Sequence, residues 1–116
     1  MKTLLNSQRE ELIANHEAAD EMDGDDPRIE SMKPVVKLFV CVGGNATWLL
    51  TELDPETNIA FGLCDLGLGF PELGSVSLTE LENTLGWRLE RDRHWTATKS
   101  LTEYADDARS RGIVVA

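Results

Sequence analysis

The apolar positions of this chain repeat first with a helical period, then with a strand period, and then with a helical period again. At the start, Leu12 and His16 share one helix face, behind a serine and a glutamate three residues apart, Ser7 and Glu10. That pair matches a capping box, in which the serine accepts a hydrogen bond from an otherwise unpaired amide. The pattern predicts a helix that ends before the polar run of residues 20–27.

Three runs rich in β-branched and aromatic residues follow, and short turn-forming segments join them. They are residues 35–42, 46–53 and 58–66. Gly43-Gly44-Asn45 supplies the positive-φ residues of a hairpin turn, and Pro55 presets φ in the second turn. Strands joined by such short connections pair with their neighbours, so the pattern predicts an antiparallel meander. Residues 67–73 then predict a glycine-rich loop, and residues 74–76 a short fourth strand.

Two further capping boxes predict two later helices. Ser77 precedes Glu80, and Ser100 precedes Glu103, at the same spacing as the first box. A glycine follows each helical run and predicts a left-handed residue at the helix end. These glycines are Gly86 and Gly112.

The stretch Trp87–Trp95 predicts a last strand, although neither of its faces is clearly apolar. The predicted fold class is therefore α+β: an antiparallel sheet of four or five strands with a meander core, packed by about three short helices. The predicted organisation is an acidic N-terminal helix and loop extension over residues 1–31, followed by a single α+β domain over residues 32–116.

The charge of the chain is strongly negative and unevenly spread. The net charge is −10, and residues 1–31 hold nine acids against three bases. A surface of this sign repels phosphate backbones, so we expect no direct nucleic-acid binding. A basic protein surface, such as that of a nucleic-acid-binding protein or a nuclease complex, is the complementary partner. The N-terminal acids that we predict to bind it are Glu17, Asp20, Glu21, Asp23, Asp25 and Asp26.

The mixed charges of Trp87–Trp95 make this stretch a second candidate site, because local departures from patterning often mark functional surfaces. Arginines beside tryptophans stack on rings or bind carboxylates and phosphates in bidentate fashion. The candidate residues are Glu90, Arg91, Asp92, Arg93, His94 and Trp95. The alternative is an edge strand whose charges prevent aggregation.

Motifs for reactive chemistry are missing or fail on spacing. The glycines of residues 67–74 do not match a dinucleotide-binding fingerprint, because Glu72 stands where the third glycine belongs. The acids of residues 20–27 fail the calcium-loop pattern in either register. No pair among the cysteines and histidines has zinc-ligand spacing, and no nucleophile-elbow motif occurs. We expect no metal, no cofactor and no catalytic residue.

The two cysteines, Cys41 and Cys64, both fall in predicted strands and predict packed, reduced thiols of a cytoplasmic protein. No apolar run is long enough to cross a membrane, and the opening apolar run is too short for a signal peptide. Glu52 and Asp65 fall near the ends of adjacent predicted strands, which makes them a candidate carboxylate pair and puts both near Cys64. No lysine follows these acids closely, as a nuclease site would require.

The residues that carry a family resemblance are Trp48, Glu52, Asp54-Pro55, the run AFGLCDLG at 60–67, Glu72-Leu73-Gly74, Leu78, Leu81-Glu82, Glu90-Arg91-Asp92 and Tyr104-Ala105. Residues 33–108 thereby resemble a family of small proteins known as a domain of unknown function (family 2958). The resemblance implies a small accessory protein of bacterial plasmids and mobile elements, with no assigned activity.

Three functions are compatible with these observations. The first is a non-enzymatic accessory protein that binds another protein, for instance an anti-CRISPR or anti-restriction inhibitor whose acids imitate DNA phosphates. The second is a small-molecule-binding or hydrolytic module centred on Arg91, Asp92 and His94. The third is a homodimer formed through the exposed strand of residues 87–95.

Overall fold

Helices pack on a single sheet in a computed structural model that describes residues 3–22 and 31–116. In chain order the elements are α1 (Asn6–Glu21), β1 (Val36–Val40), β2 (Thr47–Asp54), β3 (Ile59–Asp65), β4 (Glu72–Ser77), α2 (Leu78–Leu85), β5 (Leu89–Arg91) and α3 (Leu101–Arg111). A single 3-10 turn, Gly86–Arg88, joins α2 to β5.

The sheet has the order β4-β3-β2-β1-β5, and every neighbouring pair is antiparallel. The first four strands form the predicted meander, since each pairs with the next along the chain. The fifth strand returns to pair with β1, which leaves β4 and β5 as the two edges. The prediction of an α+β fold with an antiparallel sheet is confirmed.

Apolar side chains of the sheet alternate between two buried clusters, one on each face. Leu49 belongs to one cluster and Leu50 to the other, as the two-residue period of a strand requires. α1 and α2 cover the face of Leu50, where they contribute buried leucines such as Leu12 and Leu78. α3 covers the opposite face through Leu101, Tyr104, Ala105 and Ala108. The sheet is therefore the middle layer of three.

A β-bulge interrupts the pairing of β2 with β3 at Thr51. The register steps from Leu50, opposite Gly62, to Glu52, opposite Phe61, so Thr51 is the extra residue. Its carbonyl oxygen accepts a hydrogen bond of 2.9 Å from the Asn15 amide of α1. The bulge shifts the alternation, so that Leu53, three residues after Leu50, lies in the same cluster as Leu50.

Two of the three serines predicted to cap helices do so. The Ser77 and Ser100 hydroxyls accept hydrogen bonds from the amides of Glu80 and Glu103, and Gly112 is left-handed with φ 75°. The prediction for Ser7 is wrong, because the N-cap residue of α1 is Leu5, two residues earlier, and the Gln8 side chain accepts a hydrogen bond from the Leu5 amide. Gly86 has a positive φ of 54°, but its ψ of −125° is not that of a left-handed cap.

Two predicted boundaries differ from the structure. β4 begins at Glu72, inside the predicted loop, because β3 offers it a continuous edge down to Cys64. The predicted strand Trp87–Trp95 is wrong in length, since only Leu89–Arg91 pairs with β1. The C-terminal residues form no strand, and they are held by a hydrogen bond of 2.9 Å from the Val114 amide to the Asp65 carboxylate.

The N-terminal residues contribute to the core of the sheet. Leu4 and Leu12 are 8% and 0% exposed and lie in the same cluster as Leu50. The predicted boundary after residue 31 stays a prediction, but the described part of the predicted extension is packed on the domain that follows it.

Candidate functional site

One end of the sheet gathers three connections that are far apart in sequence. β1 and β3 run toward this end, so the hairpin of residues 41–46 and the loop of residues 66–71 both lie there. β5 is antiparallel to β1, and the 3-10 turn that precedes it lies at the same end. The Cys41 amide donates a hydrogen bond of 2.9 Å to the Arg88 carbonyl and ties the hairpin to this turn.

These connections expose large apolar side chains. The exposed fractions are 52% for Val42, 58% for Leu66, 73% for Leu68, 79% for Phe70 and 68% for Trp87. We call these five residues the apolar end. Single exposed apolar residues are ordinary on a protein surface, whereas several that converge on one end mark interaction surfaces.

The glycine between Leu66 and Leu68 fixes the shape of the loop. Gly67 has φ 78°, and a Cβ atom built on it would overlap the side-chain oxygen of Asn45 in the hairpin. Its amide also donates a hydrogen bond of 2.9 Å to Oδ1 of the buried Asp65. Contact with the hairpin and this bond to β3 together hold the loop in place, while its leucine and phenylalanine side chains point to solvent.

A cavity of about 390 Å³ opens beside the apolar end, between the hairpin and α2. Its walls are mostly apolar and include Val40, Ala46, Trp48, Leu66, Val76, Leu81 and Leu85. Arg88 and Glu80 add one charge of each sign to the lining. The Arg88 guanidinium donates to the last carbonyls of α2, those of Thr84 and Leu85, at 3.3 and 3.4 Å. A cavity of this size and lining accepts an apolar side chain or a small apolar group.

The opposite half of the molecule is acidic. Glu17, Asp20 and Glu21 are exposed on α1, as predicted from the charge pattern. Asp20 pairs with His16 at 3.6 Å, whereas the carboxylates of the two glutamates pair with no base in the described chain. The other predicted acids, Asp23, Asp25 and Asp26, lie outside the described residues. The described surface therefore carries apolar side chains at one end and acids toward the other.

His16 of α1 lies between Asp20 and Glu52, close to the end of β2. Its Nδ1 atom lies 3.6 Å from the Glu52 carboxylate, whose side chain is only 14% exposed. Burial raises the pKa of Glu52 above its ordinary value of 4.5, the nearby histidine opposes this, and Asp20 adds to it. Both residues line a groove of about 520 Å³ that Phe61 borders. The backbone amide of Glu56 lowers the pKa of Asp54 in the neighbouring turn.

The residues predicted as a second site in Trp87–Trp95 do not share one strand face. Asp92 ends the strand, since its carboxylate accepts from the His94 amide at 3.3 Å and pairs with Lys37 at 3.7 Å. Trp95 then turns away and packs on Tyr104 with ring centres 6.0 Å apart. The structure thus puts Trp95 in the core cluster of α3 rather than beside the arginines.

A groove of about 770 Å³ nevertheless brings the other predicted residues of this stretch together. It is lined by Glu90, Arg91, Asp92, Arg93 and His94, together with Thr3, Phe39, Trp87 and Leu89. Arg91 is engaged, since its guanidinium donates a hydrogen bond of 2.8 Å to the Thr3 carbonyl. Arg93 and His94 are exposed. The groove has two acids beside its arginines, so no single sign of charge prevails.

The candidate carboxylate pair is not formed. Glu52 pairs across the sheet with Phe61 and Asp65 with Thr47, so the two acids lie at opposite ends of the β2–β3 ladder. Asp65 is 1% exposed and is occupied by two backbone amides. Within residues 3–22 and 31–116, no three histidine, cysteine or acidic side chains are grouped to hold a metal ion.

The cysteines are both free, but only one is packed. Cys64 is half-buried, and burial raises the pKa of its thiol above the ordinary 9.0. Its cross-strand neighbours are Trp48 and Glu72 rather than Glu52. Cys41 follows β1 and is exposed, contrary to the prediction of a packed thiol.

Sequence reasoning missed the apolar end. Its signal is the alternation of glycine with large apolar residues in Leu66–Phe70, which is unusual for a solvated loop. The order of the strands in the sheet brings the hairpin, the loop and the 3-10 turn to one end. The sequence alone therefore does not show that Val42 and Trp87 lie at the same end as this loop.

A five-stranded antiparallel sheet with helices on both faces, and with apolar and acidic surfaces at its two ends, defines a small α+β protein. The comparison with protein families matches residues 3–115 to the family described as a protein of unknown function (DUF2958), and the chain belongs to that family. The match extends beyond the resemblance of residues 33–108 and includes α1. No curated protein and no solved structure matches the chain.

None of the helices in the described ranges, 3–22 and 31–116, has the length and apolar content needed to span a bilayer.

Proposed function

We propose that this chain is a non-enzymatic accessory protein that acts by binding a basic protein through its apolar end. The observation that carries the proposal is the convergence of five exposed apolar side chains, from Val42 to Trp87, on one end of the sheet. These side chains come from three separate connections that glycines and backbone hydrogen bonds hold together. A prearranged apolar surface of this kind loses little conformational entropy when a partner binds.

The expected contribution of the apolar end to binding is large. Burying a leucine or phenylalanine side chain contributes about 1.5–3 kcal/mol. Leu68 and Phe70 have the highest exposed fractions of the five, 73% and 79%, so little of either side chain is already buried. The adjoining cavity of about 390 Å³ would receive an apolar side chain of the partner.

Charge favours a basic partner. The chain carries a net charge of −10, and exposed acids, Glu72 and Glu80, flank the apolar end. On α3, the arginines Arg109 and Arg111 are already paired with Asp106 and Asp107. A basic rim on the partner would meet the unpaired acids and would speed association.

The context for such a partner comes from the family resemblance. The resemblance of residues 33–108 implies cargo of plasmids and related mobile elements, whose accessory proteins act on host machinery. A nuclease or another nucleic-acid-binding complex of the host defence has the basic surface that the proposal requires.

The test is a binding measurement with paired variants. The partner is first cross-linked to the wild-type chain in host lysate and identified, and its affinity is then measured with purified proteins. The double variant Leu68→Ser/Phe70→Ser should weaken binding by at least about 30-fold, because truncation of two anchors costs more than about 2 kcal/mol. Leu5→Ser is the matched control, since Leu5 is 50% exposed and lies outside the apolar end.

The double variant should unfold at the wild-type denaturant concentration, because its altered side chains are exposed. Leu5→Ser should unfold at the same or a higher concentration, since it puts a preferred capping residue before α1. Equal affinity of the double variant and the Leu5→Ser control would refute docking through the apolar end.

A second candidate, DNA mimicry by the acids of α1, is favoured by a separate observation. Glu10, Glu17 and Glu21 are exposed at spacings of seven and four residues, which places them along one side of the helix. None of them is paired with a base in the described chain. A row of carboxylates on a rigid helix imitates the phosphates that a basic groove binds.

Salt dependence separates this candidate from docking through the apolar end. Under DNA mimicry, the triple variant Glu10→Gln/Glu17→Gln/Glu21→Gln should reduce partner affinity and flatten its salt dependence. The control is Asp106→Asn, which removes an acid already paired with Arg109. A complex of wild-type protein that persists unchanged at 1 M salt would exclude mimicry, since the screening length there is only about 3 Å.

A further inference from the structure

β4 is an edge strand, and no strand among residues 3–22 and 31–116 pairs with its outer side. On its inner side β4 pairs with β3, and its residues from Glu72 to Ser75 are largely exposed. The strand is six residues long and contains no lysine, no proline and no bulge. These are the features that natural edge strands use to prevent pairing with another chain. An unprotected edge of this length is a template for a further strand.

The hydrogen-bond pattern defines which groups point outward. The Leu78 amide donates to the Asn58 carbonyl at 3.1 Å, so Leu78 faces β3 as a hydrogen-bonded residue. Alternation then directs the amides and carbonyls of Val76 and Gly74 toward β3 as well. The outward residues are therefore Leu73, Ser75 and Ser77. Ser77 is the N-cap residue of α2, so its carbonyl begins the hydrogen-bond ladder of that helix. The groups that the described chain leaves open on the outer side are therefore the amides and carbonyls of Leu73 and Ser75 and the amide of Ser77.

The other edge of the sheet is protected. β5 has only three residues, and its last residue, Arg91, is held by the Thr3 carbonyl. Glu90 and Arg91 place charges on it, and Asp92 turns the chain away. A homodimer through residues 87–95, which the sequence suggested, would have little free strand to pair.

We propose that two copies of this chain associate by antiparallel pairing of their β4 edges, about a two-fold axis at Ser75. Hydrogen-bonded pairs form only between outward residues, and the register that pairs all three of them sets Ser75 opposite Ser75 of the second copy and Leu73 opposite Ser77. Ser75 then exchanges its amide and carbonyl with Ser75 of the second copy, the Ser77 amide donates to the opposite Leu73 carbonyl, and the two sheets become one sheet of ten strands.

The side chains near this axis favour a second copy over an unrelated chain. Residues 73–77 carry no charge, so two identical acidic proteins meet here without like charges directly opposite each other. The two-fold arrangement gives each strand a partner of matching length, whereas the net charge of −10 opposes association everywhere else. Leu73, 36% exposed, gains apolar contact on pairing.

Sedimentation equilibrium of purified protein tests the proposal, with Ser75 variants as probes. The wild-type chain should be a dimer at high micromolar concentration. Ser75→Lys places two ammonium groups opposite each other at the axis and should shift the protein to monomer. Ser75→Thr keeps the backbone pairing and should stay dimeric. Since Ser75 is exposed and its amide points away from β3, both variants should keep wild-type circular dichroism and unfolding midpoints.

Cross-linking tests the register. In a Cys41→Ser background, Ser75→Cys should oxidise to a covalent dimer, since paired Cα atoms about 5.5 Å apart lie within disulfide range. Ser110→Cys, an exposed position on α3, should stay monomeric under the same oxidant. A wild-type chain that stays monomeric at millimolar concentration would overturn the proposal. So would a dimer that Ser75→Lys leaves intact.

The inference is independent of the proposed function. Loss of the dimer in Ser75→Lys with unchanged partner affinity would leave docking through the apolar end in place. Conversely, Leu68→Ser/Phe70→Ser could abolish partner binding while the dimer persists.

Discussion

Two glycines that face each other across the sheet should respond in opposite ways to the same substitution. Gly62 of β3 and Gly74 of β4 are direct Cα partners. A Cβ atom on Gly62 would overlap the Leu49 carbonyl oxygen and lie 2.8 Å from the Leu50 Cα atom, closer than real Cβ atoms approach. A Cβ atom on Gly74 would meet nothing within 4 Å.

The obstacle at Gly62 is backbone, so it cannot move aside by a rotamer change. Relief requires β2 and β3 to separate beside the bulge, which breaks ladder hydrogen bonds and loosens Leu49 and Leu50, both fully buried. Lost hydrogen bonds contribute about 1 kcal/mol each, and the disturbed packing about 1–3 kcal/mol more. We expect Gly62→Ala to lower the free energy of unfolding by about 3–5 kcal/mol and the melting temperature by roughly 12–20 °C.

Gly74→Ala should be neutral or stabilising by up to about 1 kcal/mol, because alanine restricts the unfolded chain more than glycine does. Urea unfolding followed by circular dichroism measures both variants, at a protein concentration low enough to keep the chain monomeric. Equal destabilisation by the two substitutions would show that the close approach of β2 to Gly62 does not limit the fold.

Three further outcomes follow from individual contacts. Asp65→Asn should cost about 1.5–3 kcal/mol in urea unfolding, because one of its two backbone amides, at Gly67 or Val114, loses its acceptor. Ser100→Ala should cost about 1 kcal/mol by the same measurement, whereas Ser7→Ala should cost much less, since Ser100 caps a helix and Ser7 does not. For Glu52→Gln, stability relative to the wild type should rise with pH, as thermal unfolding across a pH series would reveal.

The sign for Glu52 follows from its raised pKa in the folded chain. The folded state holds the proton of Glu52 more tightly than the unfolded state does. Stability therefore falls as pH rises from the ordinary carboxyl value of 4.5 through the folded pKa. Glutamine stays neutral and removes that loss. An identical pH dependence of the wild type and Glu52→Gln would contradict burial of the carboxylate.

The local signals in the sequence were sufficient to predict the elements whose pairing or capping partners are close in sequence. The meander followed from short turns, and Ser100 capped its helix as its spacing predicted. Ser7 failed because Leu5 and Gln8 offer an equivalent start two residues earlier. Spacing alone cannot choose between two boxes that overlap, since the choice depends on how α1 packs against β2.

Elements defined by distant contacts were less predictable. β4 extends through Glu72 and Leu73 because β3 provides a paired edge, although glycine-rich sequence around them favours a loop. The strand predicted at residues 87–95 is short because Asp92 turns the chain and Trp95 packs on Tyr104 of α3. Likewise, the bulge at Thr51 shifts the two-residue alternation of β2, so that Leu53 joins Leu50 in one cluster.

The negative charge of the chain gives the two proposed associations opposite responses to salt. A heterologous complex with a basic protein joins opposite charges, so added salt screens the attraction and lowers its affinity. A homodimer joins two chains of net charge −10, so salt screens the repulsion between them. Because the paired β4 residues are uncharged, added salt should strengthen the dimer. Sedimentation at low and high salt, with and without the partner, therefore separates the two. A dimer that dissociates in salt would mean that ion pairs, and not the β4 edges, hold the two copies together.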